Sequence, residues 1–401
     1  MPGSTGTSPD SPTDRYDYHA IHRTHHVWGT VTSMREQCVT LLEGAGITVG
    51  GDLPHDIQVH DDRFWARVLR DRELGLGESY QEGWWDARRL DELLVRILTA
   101  DLQSAVRSSP ALLLHVARSR LTNRQTTGRA ARNARAHYDI GNDLYLRMLG
   151  PEMVYSCALW KGADDLQAAQ VAKMELICQK LHLQPGMRLL DIGCGWGGFA
   201  RHAAIHHGAT IVGISPAGEQ VVEARRRAGD LPVEFHQQDY REVTGTYDRI
   251  VSIGMMEHVG PRNYREFFDR CGDLLTDDGL MLHHTIGSNK STQSVDAWFD
   301  RYIFPGGVVP SLHQIAGAAQ PRWAIEDVQN LGPDYDRTLR SWHSNIEARW
   351  DEVPDYDERF RRTWRYYLLS SAASFRVRNL QLFQIVFSRT GRISPVYDGV
   401  R

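Results

Sequence analysis

The decapeptide LLDIGCGWGG at 189–198 leaves this chain few architectures to choose from. An apolar run that breaks into a glycine cluster, and from there into a helix, puts bare backbone at the carboxyl end of a strand, where a nucleoside can approach closely. The flanking sequence repeats the pattern. A helical period spans 166–183, apolar runs lie at Arg188–Ile192 and Thr210–Ser215 with a helix between them, and further runs fall at 233–236, 247–253 and 279–286. Strands alternating with helices at this spacing specify an α/β fold on an open, mainly parallel sheet with right-handed crossovers. Beyond it, a long helical period over 336–378 must break at Pro354, and 379–389 suits a final strand.

Gly193, Gly195 and Gly198 also satisfy G-x-G-x-x-G, so a dinucleotide enzyme has to be weighed. That fold wants an acidic residue at the end of its second strand to hold the ribose diol. Here the strand ends Gly213-Ile214-Ser215-Pro216, with no carboxylate before Glu219. Asp191 stands just before the glycines, where it would repel a pyrophosphate but can balance the cationic amino-acid end of a sulfonium cofactor. The pattern favours a class I methyltransferase-like (Rossmann-like) fold binding S-adenosylmethionine over an NAD enzyme. For Asp191 taken alone, the alternative is a carboxylate that caps the glycine turn. Asp239 ends the third strand run, where it either accepts from an adenine amino group or is a plain loop carboxylate. Glu257 and His284 follow the fourth and fifth runs, which places both titratable groups on the ligand-binding edge of the sheet. The fourth run leads into Gly254-Met255-Met256-Glu257-His258 rather than an Asn/Asp-Pro-Pro-Tyr run, and the net charge is −4, so a nucleic-acid partner is not expected.

Residues 1–14 are rich in Ser, Thr, Pro and Gly and read as a disordered tail, without the basic and apolar regions of a signal peptide. Residues 15–117 carry helical spacing over 27–42 and 90–102 and a short alternating segment over 47–59. They read as a smaller, mostly helical N-terminal domain. Residues 118–136 read as a basic linker, because no acidic residue lies between Asp101 and Asp139 while Arg118, Arg120, Arg124, Arg129, Arg132 and Arg135 do. The catalytic domain then takes 137–401. The five cysteines form no C-x-x-C pair, so no metal site or redox motif is expected and a cytoplasmic setting suits the chain. No apolar stretch approaches the ~20 residues needed to span a bilayer. Membrane contact is expected to be peripheral.

The segments HYDIGNDLY (137–145), MVYSCALW (153–160), YDRIVSIGMMEHVG (247–260), HHTIGS (283–288), YIFPGG (302–307) and FRVRNLQLFQIVFSR (375–389) join the glycine turn and GLGESYQEGWWD (75–86) in a single order. In these the chain resembles the cyclopropane-fatty-acyl-phospholipid synthases over essentially its whole length after the tail. The resemblance implies methylene transfer from S-adenosylmethionine to the cis double bond of an unsaturated acyl chain in a membrane phospholipid. It also implies a lipid-associated N-terminal domain and a homodimer attached peripherally to the inner face of the cell membrane. Cofactor contacts implied by position are Tyr155, Ser156, Asp191, Gly193, Cys194, Gly195, Gly197, Ser215, Gln220, Asp239 and Tyr240. Cys157, Glu257, His284, Ile286 and Tyr335 match the positions that hold a bicarbonate ion beside the transferred methyl group.

Closing a ring requires a carbocation to lose a methyl proton before a nucleophile captures it, so the site should be dry, with a weak positioned base and aromatic faces. Tyr138, Tyr155, Trp160, Phe304 and Tyr335 are candidates for those faces, Tyr155 and Tyr335 foremost. Cys157 is expected to line the bicarbonate pocket and not to attack, since an alkene is no electrophile for a thiolate. Within the same family, the alternative is a methyltransferase that leaves a methyl- or methylene-branched chain without ring closure.

Overall fold

The computed structural model describes residues 33–102, 141–391 and 397–400. Tyr138 and the arginine-rich stretch 118–136 lie outside the described residues. Chain order runs α1 (Met34–Gly44), β1 (Gln58–Val59), α2 (Arg63–Gln81), β2 (Trp85–Asp86), α3 (Leu90–Thr99), α4 (Asn142–Leu149), α5 (Leu166–Lys180), β3 (Arg188–Ile192), α6 (Gly198–His207), β4 (Thr210–Ser215) and α7 (Gly218–Ala228). It continues β5 (Val233–Gln237), β6 (Tyr247–Ile253), α8 (Tyr264–Leu274), β7 (Leu275–Ser288), α9 (Ala297–Tyr302), α10 (Leu312–Ala319), β8 (Trp323–Asn330), α11 (Gly332–Glu347), α12 (Glu358–Arg376) and β9 (Leu380–Arg389).

Seven strands form one sheet in the order β5-β4-β3-β6-β7-β9-β8. The first five are parallel, and β9 runs antiparallel between β7 and β8. Helices cover both faces, which is why the central strands read as unbroken apolar runs and not as alternation. Leu190, Ile250, Met281 and Ile385 join a core with α8, while their chain neighbours Leu189, Val251, Leu282 and Val386 join a second core with α5 and α6. The expected parallel sheet and final strand are present. Strand β8 had no counterpart in the sequence reading. It is an edge strand whose inward position is taken by Asp327, buried against Lys180 at 3.1 Å, so the apolar period that announces a strand is missing. The helical stretch breaks around Pro354 as expected, but the gap is wide: α11 ends at Glu347 and α12 restarts at Glu358, capped by the Asp357 carboxylate, which accepts from the Phe360 amide at 2.7 Å.

The N-terminal helices share a hydrophobic core with α11 and α12, and Met34–Arg401 forms one compact unit. One glycine makes the approach possible. A Cβ on Gly77 of α2 would fall 2.4 Å from the Trp298 ring of α9, so only glycine admits that indole. Gln81 then donates to Thr363 Oγ1 at 2.6 Å and accepts from Trp298 Nε1 at 3.1 Å, tying α2 to α9 and α12. On α3, Asp91 is buried and accepts from Arg376 at 2.9 Å, and Arg376 also donates to Asp336 of α11. Burial alone would raise the Asp91 carboxyl, but hydrogen bonds from Arg89 and Arg376 outweigh it and hold the group below its usual range. Asp91→Ala should therefore cost roughly 3 kcal/mol, the lower end for removing one partner of a buried ion pair. Denaturant midpoints would show it as a loss at neutral pH that shrinks on acidification. The depressed carboxylate stabilises the native chain only above its folded value, so the native protein loses that term as pH falls through it.

Candidate active site

The first cavity lies at the carboxyl ends of β3, β4 and β5. The amides of Gly193 and Cys194 both donate to Ile214 O, at 2.9 and 3.0 Å, which pulls the chain into a turn across β4. Gly193 (φ +87), Gly195 (φ +54) and Gly197 (φ +80) all occupy the left-handed region. Their roles differ. A Cβ on Gly195 would meet nothing within 4 Å, whereas one on Gly197 would sit 2.6 Å from the Phe235 ring. Gly193, Cys194 and Gly195 line the cavity. Gly197 does not, and its missing side chain serves packing against Phe235.

Asp191, the fourth residue of β3, is 1 % exposed, and neither of its carboxylate oxygens has a partner. Burial pushes it up to about 7, although Lys173 pulls the other way. Lys173 of α5 is fully buried and donates from Nζ to Ser156 Oγ at 2.9 Å. Its ammonium is driven down to about 7 by burial, against the pull of Cys157 and Asp191. The sequence reading missed Lys173. Its one signal was a lysine in register with the buried Ala169, Gln170, Met174 and Ile177 of α5. Farther along the wall, Ser215 Oγ donates to Gln220 Oε1 at 3.0 Å. Asp239 accepts from the Arg241 amide and guanidinium, both at 3.0 Å, and Tyr240 lies beneath that guanidinium. Tyr155, Ser156, Ser215, Gln220, Asp239 and Tyr240 all line this cavity.

A second, larger and mainly apolar cavity shares Tyr155, Ser156, Gly254 and His258 with the first. Cys157, Glu257, His284, Ile286 and Tyr335 all line it, so the five positions scattered over 157–335 converge. Sheet register does much of this. Ile253 of β6 pairs with His284 of β7, His284 pairs with Gln384 of β9, and Glu257 follows on the short 3-10 turn Met256–His258. Glu257 Oε1 accepts from the Ile286 amide at 2.6 Å, while Oε2 is buried without a partner. Burial raises this carboxyl to about 7. His284 Nδ1 meets Gln384 Nε2 at 3.2 Å. The amide nitrogen can only donate, so Nδ1 accepts and the imidazole proton belongs on Nε2, which has no partner. Burial holds His284 well below its ordinary value, and therefore neutral. Burial likewise raises the Cys157 thiol far above its usual value, which removes the thiolate a nucleophile would need.

Of the candidate aromatic faces, Tyr155, Phe304 and Tyr335 line the second cavity. Trp160 does not line either cavity; it donates to Thr338 Oγ1 at 3.0 Å in a separate small core. The Tyr155 hydroxyl meets that of Tyr367 at 2.7 Å, a contact the sequence did not announce. The apolar wall comes from distant segments: Leu76 of α2, Leu94, Ile97 and Leu98 of α3, and Leu339 of α11. One cluster bears on the expectation that no metal is bound. The donor atoms of Cys178, His202 and His207 lie within 4.8 Å of one another, with both imidazoles on Glu175 Oε2 at 3.4 and 2.9 Å, and none of the four lines either cavity.

Comparison with known proteins adds to this geometry. A family model described as mycolic acid cyclopropane synthetase matches residues 125–385. The cyclopropane-fatty-acyl-phospholipid synthase of Escherichia coli K12 is 47% identical over 350 residues, 87% of this chain and 92% of that relative. The tuberculostearic acid methyltransferase UfaA1 of Mycobacterium tuberculosis is 32% identical over 355 residues, 82% of each chain. Among solved structures, mycolic acid cyclopropane synthase CmaA1, complexed with SAH and CTAB, superposes with a TM-score of 0.59 at 30% identity, over 65% of this chain and 98% of its own.

Proposed function

The chain belongs to the mycolic acid cyclopropane synthetase family, and from that premise we propose that it forms a cyclopropane ring on the cis double bond of an unsaturated acyl chain carried by a phospholipid. It is an S-adenosylmethionine-dependent methyltransferase. The cofactor's supply is an electrophilic methyl group on a sulfonium centre. The residues present fit it: Asp191 offers two unpartnered carboxylate oxygens, and open space lies over Gly195. What carries the reading is one juxtaposition. Glu257 and His284, with Oε2 and Nε2 unpartnered, line an apolar cavity that shares Tyr155, Ser156, Gly254 and His258 with the cavity of the glycine turn.

An isolated alkene is a poor nucleophile, so the gain must come from holding it in line and excluding water. Leu94, Ile97 and Leu339 supply the apolar walls for an acyl chain. The faces of Tyr155 and Tyr335 offer a carbocation roughly 0.5–2 kcal/mol each. Glu257 and His284 would hold a bicarbonate ion, which would supply a weak base; the carboxylate accepts a hydrogen bond and the neutral imidazole donates one. Cys157 and Ile286 line the same space, and the Ile286 amide is engaged by Glu257 itself.

Lipids extracted from a host expressing the chain provide the test. Gas chromatography–mass spectrometry should show acyl chains heavier by one CH₂ with the unsaturation lost. A mass gain with unsaturation retained would instead support the alternative of a branched chain without ring closure. No helix among the described residues is long and apolar enough to cross a membrane. The proposal extends, as the family resemblance implies, to a cytoplasmic homodimer that reaches its lipid by docking the arginines of 118–136 on anionic head groups, at up to ~1 kcal/mol each. Co-sedimentation with anionic vesicles should fall with rising salt and with Arg124, Arg129 and Arg132 changed to Gln. Binding that ignores all three changes and salt would assign lipid capture to another surface.

A further inference from the structure

The methionine end of S-adenosylmethionine brings an ammonium, a carboxylate and a sulfonium into one buried space. Each charge is costly there unless it is paired. Asp191 answers the two cationic groups, and the carboxylate needs a cation of its own. Among the described residues lining the cofactor cavity, the candidates are Lys173, Arg241 and His258. Arg241 is committed to Asp239 at 3.0 Å and Glu266 at 3.3 Å. His258 is kept neutral by burial, which lowers it to about 4.

Lys173 remains, and its setting is built. It is fully buried on α5 and aims Nζ at Ser156 Oγ, 2.9 Å away on the cavity wall. One turn earlier, Gln170 Nε2 donates to the Ser156 carbonyl at 2.9 Å, so a single helix fixes both the backbone and the hydroxyl of that residue. An ammonium carries three protons, and one hydroxyl satisfies one of them. We propose that Lys173, with Ser156, binds the α-carboxylate of S-adenosylmethionine, so that Lys173 and Asp191 form a buried pair of opposite charges matching the ligand's zwitterionic end. This rests on the cofactor assignment above. The same arrangement makes the cavity selective for nucleosides whose sulfonium side chain ends in an amino acid.

Calorimetry with three ligands separates this role from a purely structural one: S-adenosylmethionine, its decarboxylated analogue, and 5′-methylthioadenosine, which lacks the amino-acid end. The native chain should prefer S-adenosylmethionine to the decarboxylated analogue by roughly 10–100-fold, the range for hydrogen bonds to a charged group. Lys173→Met should erase that preference by weakening S-adenosylmethionine alone, with 5′-methylthioadenosine bound as in the native chain. Equal native affinity for the two sulfonium ligands overturns the proposal without any variant, so the test stands even if Lys173→Met does not fold. A uniform loss across all three ligands in the variant also overturns it, because it would mark Lys173 as a prop for the wall. A native chain that binds 5′-methylthioadenosine but neither sulfonium ligand overturns the cofactor assignment and this proposal together.

Discussion

Glu257→Gln should lower kcat by about 10²–10⁴-fold while S-adenosylmethionine affinity stays within a few-fold, the signature of a lost proton-transfer partner. Glu257 does not line the cofactor cavity; it lines the acyl cavity, with Oε2 unpartnered. The amide keeps the acceptor to Ile286 but loses the charge. His284→Ala should act in the same direction, and both variants should keep their native circular dichroism. Because burial holds Glu257 near 7, its ionised form predominates only above that pH. Activity of the native enzyme should therefore fall as pH drops below about 7, and that acid limb should disappear in Glu257→Gln. Carbonate-depleted buffer should slow the native enzyme, with added bicarbonate restoring it. Cys157→Ala should retain measurable turnover, since its thiol is held protonated. Full activity in both the Glu257 and His284 variants would remove the base from this site.

The part of this architecture that shows in the sequence is the part whose signal is local. Strands β3 and β4 are buried on both faces, so their apolar runs give their bounds directly, and the glycine turn marks the cavity because successive left-handed residues favour glycine and leave backbone open to a ligand. Glu257 and His284 were recoverable because topology alone sends the residues after successive parallel strands to the same edge. Gln384 was not. It faces His284 only because β9 inserts antiparallel beside β7, a pairing across 100 residues that no local pattern encodes. Lys173 escaped for the opposite reason. A lysine on a helix normally reads as solvated, and only the packed structure shows this one buried beside a carboxylate. The walls supplied by α3 were equally hidden, since Leu94 and Ile97 carry the ordinary period of a core-facing helix.

Asp191→Ala should abolish the thermal shift that S-adenosylmethionine produces, and it should do so without destabilising the protein. In most cores, deleting a buried side chain costs stability. Here the carboxylate is buried with both oxygens unpartnered, a state that costs about 1–3 kcal/mol for an unsatisfied group. The sign follows from its titration. Burial raises Asp191 to about 7, above its unfolded value, so ionisation works against the native state and stability is lost as pH rises toward that value. At pH 8 the unliganded Ala variant should melt at or above the native temperature. The native chain should gain about 2.7 kcal/mol at a ligand concentration of 100 Kd, and the variant should gain almost nothing. Gly195→Val reaches the same loss by another route. Its Cβ would meet no protein atom, so the chain has room to fold, at a cost of roughly 1–2 kcal/mol for a side chain at φ +54. The valine would then occupy the space the cofactor needs. Differential scanning calorimetry with and without S-adenosylmethionine distinguishes the cases. If Asp191→Ala melts well below the native protein and still shows the ligand shift, Asp191 is a cap of the glycine turn and the cofactor's cationic end is held by other groups.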